Sequence, residues 1–239
     1  MTWSIVVHDP ASGAFAVAVT TCSFAVGASC PHVRAGVGAV STQSFTNRYL
    51  GPAVLDGMAR GLSPAAAIEG ALAGDEGRHL RQIHAVDRFG RSAAFTGRHC
   101  VEWAGERTAQ NLSVAGNMLT GAEVVLDTFE TFTASGDLPL PERLARALQA
   151  GEAAGGDRRG RQSAAMRLVT TEDFPDLDIR VDDHAEPLAE LSRLLAIWRR
   201  DRAPYLDRQP RKANPSGVID MQATEAAWQA AGLDLRFGR

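Results

Sequence analysis

Two apolar runs open the chain. Residues 3–9 (WSIVVHD) and 13–21 (GAFAVAVTT) are rich in valine and small residues. Between them, Asp9-Pro10-Ala11-Ser12-Gly13 carries the proline and glycine of a tight turn, so the pattern predicts a β-hairpin. Residues 35–42 (AGVGAVST) predict a third strand, thinned by Gly36 and Gly38; such glycines weaken a strand or let another group approach its backbone. Helical spacing follows over Gly51 to Arg60. A second helix is expected from Ser63-Pro64, a cap residue followed by a proline at the first helical position. Residues 80–87 (LRQIHAVD) and 91–96 (RSAAFT) predict another hairpin across Arg88-Phe89-Gly90. A strand over 111–117 and a helix over 121–133 come next. Pro141 to Ala153 is amphipathic, with Leu144, Ala147 and Leu148 on one face, and it ends in Gly155-Gly156. Strands are expected over 162–170 and 178–182, then a helix from Pro187 to Asp201 with Leu188, Leu191, Leu194, Leu195 and Trp198 on its buried side.

This order is hairpins, a helix pair, strands, a second helix pair, strands and a final helix. It does not alternate as βαβ units do, so a parallel Rossmann sheet is disfavoured. The class expected is α+β, with mainly antiparallel sheets covered by helices. One domain is expected over residues 1–203. From Pro204 the chain turns polar and proline-rich, which predicts a linker and short C-terminal arm over 204–239, with a helix over 220–231.

Composition removes several function classes. A formal net charge of −3 gives no global basic field, so nucleic acid is not an expected partner. No stretch approaches the roughly 20 apolar residues of a membrane span, and the start lacks a secretory pattern. The three cysteines, Cys22, Cys30 and Cys100, are odd in number and show no CxxC spacing. Free thiols in a reducing cytoplasm follow. Lys212 is the single lysine, so no lysine earlier in the chain can serve as a general base.

Candidate chemistry begins at Thr2. If Met1 is removed, Thr2 carries both a hydroxyl and a free α-amine of pKa about 7.7–8.0, and an amine that is partly neutral near pH 7 can take the hydroxyl proton. Threonine also follows methionine in many unrelated proteins. A second cluster lies in Gly155-Gly156-Asp157-Arg158-Arg159-Gly160-Arg161-Gln162-Ser163. Three arginines in one turn can grip an anionic substrate group through their forked donors, with Gln162 and Ser163 orienting it. Alternatively, some of them pair with Asp157 or Asp182-Asp183 as a structural network. The run Ser41-Thr42-Gln43-Ser44-Phe45-Thr46-Asn47 ends a strand, where Gln43 and Asn47 could meet a peptide-like substrate or steady an oxyanion, or the run could be ordinary turn chemistry. Asn117 stands at another strand end and could do the same, or cap a turn. No metal site is expected: His79 and His84 are wrongly spaced for one strand face, and Asp182-Asp183-His184 suits a helix start. No cofactor motif is present either.

The opening hairpin resembles the N-terminal-nucleophile hydrolases, whose first strand starts with the nucleophile. More specifically, the segments TWSIVVHDPASGAFAVAV, AGVGAVSTQSFTN, AGNML, EAAGGDRRGRQSAAM and IRVDDHAEPLAEL resemble domain of unknown function 1028, from Thr2 to about Leu195. That resemblance implies a four-layer αββα sandwich with Thr2 in the nucleophile's place. It departs from the proteasome branch, which has a lysine on its third strand; here Arg34 or Arg48 could supply positive charge but could not act as a base. The function expected is hydrolysis of a small amide or peptide-like bond in a substrate with an anionic group, without a cofactor. Thr2, Asn117 and Gln43 would do the chemistry, and Asp157, Arg158, Arg159, Arg161, Gln162, Ser163 and Asn47 would bind. The alternative is a non-catalytic ligand-binding or scaffold protein of the same fold. A homodimer is compatible with either.

Overall fold

The computed structural model describes residues 2–233. Removal of Met1 concerns a residue outside them, as does the end of the arm expected over 204–239. The chain divides into two compact units, one reaching Ser192 and the other starting at Arg193.

In the first unit, β1 (Thr2–Asp9) and β2 (Ala14–Thr21) form the expected hairpin, with Gly13 taking the positive φ of 72° that closes its turn. β3 (Pro31–Arg34) was not expected. β4 (Gly38–Ser44) starts later than the sequence pattern suggested, because residues 35–37 form the turn that joins β3 to β4. β5 (Arg81–Asp87) and β6 (Ser92–Thr96) are the second hairpin. β7 (Gly105–Ala109) is also new, and β8 (Leu112–Asn117), β9 (Ser163–Val169) and β10 (Leu177–Val181) complete the strands. They form two antiparallel sheets, β10-β9-β2-β1-β8-β7 and β3-β4-β5-β6.

Side-chain alternation decides what each sheet meets. On β1, Val6 faces the second sheet, where it packs with Phe15, Val17, Ala39, Val86 and Val169. On β4, Val40 points the other way, into a core with Leu50, Val54, Met58, Ile68, Leu72, Ile83 and Ala85. That core is supplied by α1 (Leu50–Ala59) and α2 (Pro64–Leu72). Ser63 starts α2 as expected: its hydroxyl accepts from the Ala66 N–H, and Pro64 follows it. Against the opposite sheet lie α3 (Glu123–Ala134) and α4 (Leu140–Ala153). Trp3, fully buried, occupies the space beneath α4, and a Cβ at Gly151 would stand 2.8 Å from its indole nitrogen. Only glycine lets the helix approach that closely. α5 (Pro187–Ile197) crosses the boundary between the units.

The second unit contains a π-helical turn, Trp198–Arg202, then α6 (Ala203–Leu206) and α7 (Met221–Ala230). The Asp220 carboxylate caps α7 by accepting from the Ala223 N–H, and buried Trp228 meets Tyr205 with ring centroids 4.4 Å apart. The character change expected at Pro204 therefore falls inside this unit. No helix among the described residues is long and apolar enough to cross a membrane.

Candidate functional site

Strand register brings the Thr2 end of β1 to a crossing point of both sheets. Thr2 pairs with Asn117 on β8, and the ends of β2 and β4 lie beside it. Thr2 is only 6% exposed, and its hydroxyl stands 3.3 Å from that of Thr21. The Asn117 amide and the Gln43 amide each approach the Thr2 carbonyl oxygen at 3.4 Å. Sequence reading assigned these two amides to an oxyanion, and the geometry gives them other work. Asn117 Nδ2 also donates to Gln82 Oε1 at 2.9 Å, while Gln43 Nε2 donates to Gln82 Oε1 at 2.8 Å and to the Ala115 carbonyl at 3.1 Å. An amide nitrogen has two hydrogens, so neither has one to offer a substrate. Both are positioning residues for the Thr2 backbone.

Behind Thr2 a polar network fills one half of the space between the sheets. The Ser4 hydroxyl reaches Gln43 Oε1 at 2.6 Å, Ser41 Oγ at 3.0 Å and His84 Nε2 at 2.7 Å. His84 Nδ1 lies 2.8 Å from Ser113 Oγ. Gln43 Oε1 can only accept, so Ser4 gives its proton there and receives one from His84 Nε2–H; Nδ1 then accepts from the Ser113 hydroxyl. Gln82 closes the network, donating to the Gly116 carbonyl at 2.7 Å and to Thr96 Oγ1 at 2.9 Å. All these side chains except Thr96 are fully buried. None of Ser4, Gln82, His84 or Ser113 was singled out for this role from sequence, although polar residues at every second strand position were the available signal.

Burial pushes the His84 pKa down to about 3, which leaves the ring neutral at physiological pH. The folded-state value lies below the ordinary 6.5, so between those two values the unfolded chain binds the extra proton. Stability from this residue is complete above pH 6.5 and declines as pH falls towards 3. His84→Gln should flatten that part of a urea-midpoint profile between pH 6.5 and 4, relative to the unaltered chain.

The arginine loop lies at the same end of the first sheet. The Asp157 carboxylate, 5% exposed, accepts from the Cys22 N–H at 2.8 Å and from the Arg159 N–H at 2.9 Å, and it pairs with the Arg159 guanidinium at 3.2 Å. Arg161 bridges Glu152 and Glu186. Ser163 is fully buried, accepting from the Val26 N–H at 3.1 Å and donating to the Ser23 carbonyl at 2.5 Å. Gln162 donates to Asp183 at 3.2 Å. Most of the loop is thus a structural brace between β2 and β9. Arg158 differs: it is exposed, its side chain has no partner among the described residues, and its N–H reaches the carbonyl of Met118, next to Asn117.

Residues 2–191 match the profile of a family described as a family of unknown function, DUF1028. The chain belongs to this family. A crystal structure of a DUF1028 protein, SPO2555 from Silicibacter pomeroyi, shares 31% identity, with a TM-score of 0.85 over 92% of this chain and 96% of that one. A structure of Anbu, the ancestral beta-subunit, from Yersinia bercovieri shares 10% identity, with a TM-score of 0.39 over 82% of this chain and 96% of that one. No curated protein matches. The family segment contains Thr2, both positioning amides, the buried network and the whole arginine loop.

Other candidates lie apart from Thr2 or are engaged elsewhere. Asn47 donates to Asp75 at 3.1 Å and accepts from the Tyr49 N–H at 3.1 Å. Arg81 pairs with the same Asp75 at 2.9 Å and holds its carboxyl down at about 2. Asn47 therefore belongs to a loop anchor. Arg34 sits opposite Gly38, the end of β4 away from Gln43, and pairs with Asp56 at 2.8 Å, so it cannot supply charge at Thr2. Arg48 is exposed on the loop after β4, and its charge reaches Cys30. Cys30 is buried, which pushes its thiol up to about 12 and leaves it unreactive as a thiolate. Before α5, Asp182 pairs with Arg180 at 2.9 Å, Asp183 accepts from Gln162, and His184 Nδ1 accepts from the Glu186 N–H. Among the described residues no group of His, Cys, Asp and Glu is gathered for a metal ion.

Proposed function

We propose that this chain is an amide hydrolase of the N-terminal-nucleophile type, built as a four-layer αββα sandwich and acting in the cytoplasm, with Thr2 as nucleophile once Met1 is removed. The observation that carries this reading is the placement of Thr2. It is buried at a strand end, its hydroxyl meets another hydroxyl, and two side-chain amides from different sheets fix its carbonyl. Such fixation is what a nucleophile needs from its scaffold.

The α-amine of Thr2 takes the hydroxyl proton, directly or through a water, as Oγ1 bonds to the substrate carbonyl carbon. The carbonyl π-pair moves to oxygen and then returns, the C–N bond breaks, and the amine leaves with the proton held by the α-amine. Water attacks the resulting ester, the same amine accepts its proton, and Oγ1 recovers a proton as the acid departs. Arg158, whose guanidinium has no partner among the described residues, receives the anionic end of the substrate.

A chain whose tag stays joined to Thr2 tests the role of the amine. The fold and ligand binding should persist while hydrolysis stops. A second reading, a binding protein on the same fold, is favoured by the commitment of Asn117 and Gln43 to the core. It requires the tagged chain and the processed chain to behave identically in every assay, and no amide to be cleaved.

A further inference from the structure

The end of β1 opposite Thr2 opens on a separate cavity. It holds about 320 Å³ and is lined by His8, Asn111, Phe129, Phe132 and Arg143 among others. That volume is at the lower end of the roughly 300–1,000 Å³ of small-molecule sites. With β1 rising about 3.3 Å per residue, the cavity lies on the order of 20 Å from Thr2, so it is a different site.

Three features make it a built site. His8 Nδ1 lies 3.0 Å from Asn111 Oδ1, and its ring stacks on Phe15 with centroids 4.6 Å apart. The carbonyl oxygen of Asn111 only accepts, so Nδ1 carries a hydrogen and the ring is fixed in place. Asn111 is itself held at a φ of 67° by its backbone, which accepts from the His8 N–H at 3.0 Å and donates to the Gly90 carbonyl at 2.8 Å. Arg143 carries the positive charge. Its Nε donates to the Phe132 carbonyl, and its guanidinium carbon lies 3.7 Å from the centre of the Phe132 ring. Its two Nη groups have no partner among the described residues, although burial already disfavours the charge and lowers the pKa. The Asp9 carboxylate partly offsets that cost by its charge, but no ion pair between the two is formed, so the Nη groups keep their donors for a ligand.

One acid also lines the cavity, Asp9. Its carboxylate accepts from the Ala11 N–H at 3.3 Å and from the Ser12 hydroxyl, which ties it into the β1–β2 turn. The lining also has an apolar part: Phe129 and Phe132 are almost fully buried, and Leu112 is a third apolar residue of the cavity. We propose that this cavity binds a small carboxylate with an apolar body, the carboxylate gripped by the Nη pair of Arg143 and the body lying on Phe129 and Phe132. Forked guanidinium donors match a carboxylate at two points, and the aromatic wall supplies apolar burial.

Calorimetric titration of the full chain with phenylacetate, acetate and 2-phenylethanol tests the site. Phenylacetate should bind saturably, and the other two, each lacking one recognition element, at least about tenfold more weakly. Arg143→Gln should lose at least about tenfold in phenylacetate affinity, and Arg143→Lys less. Absence of saturable phenylacetate binding overturns the proposal, as does equal affinity for the three probes or an Arg143→Gln variant that binds as before. Should Arg143→Gln fail to fold, amide shifts of Gln110 and Asn111 in the unaltered chain carry the test. Those shifts should move on adding phenylacetate, and movement confined to other residues refutes the site.

Discussion

Thr2→Ala should leave a folded protein that has lost hydrolysis by at least about 10³-fold, the scale seen when a covalent nucleophile is deleted. The structural effect expected is small because the hydroxyl's contact with Thr21 Oγ1, at 3.3 Å, is of modest geometry. Losing such a bond costs about 1 kcal/mol, or about 2–4 °C in melting temperature for a chain of this size. Thr2→Ser keeps the hydroxyl and the amine and should retain a measurable fraction of turnover. The separation of a large kinetic effect from a small thermal one is the signature to seek, with steady-state amine release and calorimetric melting measured on the same preparations. A variant that melts early and loses activity in proportion would place Thr2 in the core alone.

Gln82→Leu should have the opposite signature, a large loss of stability. Gln82 Oε1 accepts from both positioning amides, and its Nε2 serves the Gly116 carbonyl and Thr96. Leucine keeps the approximate volume but abandons at least three buried polar groups at about 1–3 kcal/mol each. A loss of at least about 3 kcal/mol is expected, which corresponds to a fall of about 6–12 °C. Gln43→Leu removes one of those orphaned groups, so the double variant should be less destabilised than the sum of the singles. Additive losses in a denaturant titration would show that the network is not connected as described.

The two variants also show what the sequence made visible. The hairpin β1–β2, helices α1 to α4 and the strand β9 follow from apolar runs or periodicity and from turn residues. β3 and β7 escaped notice for a physical reason: β3 is four residues long, and β7 (GERTA) is an exposed edge strand without an apolar alternation. The glycine-arginine loop stood out because three arginines in one turn are unusual, whereas Thr2 drew attention only by its place at the start of the first strand. Gln82 and His84 were not, because polar residues alternating with Ile83 and Ala85 read as a solvent face. Here that face meets the six-stranded sheet, whose own alternate positions, Ser4 and Ser113, are also polar, and each satisfies the other. A sequence shows one strand's alternation but not which sheet will lie opposite. Asn47 is a related case, since its partner Asp75 is distant in sequence and held by Arg81.

The measurement closest to the central claim is the mass of the peptide at the start of the native protein, before and after exposure to a β-lactone that acylates nucleophilic hydroxyls. The expected result is a peptide beginning at Thr2 that gains one lactone mass on its hydroxyl, with no gain in Thr2→Ala. A peptide that still begins with Met1 and stays unmodified would contradict the nucleophile, leaving the fold and the Arg143 cavity as separate questions.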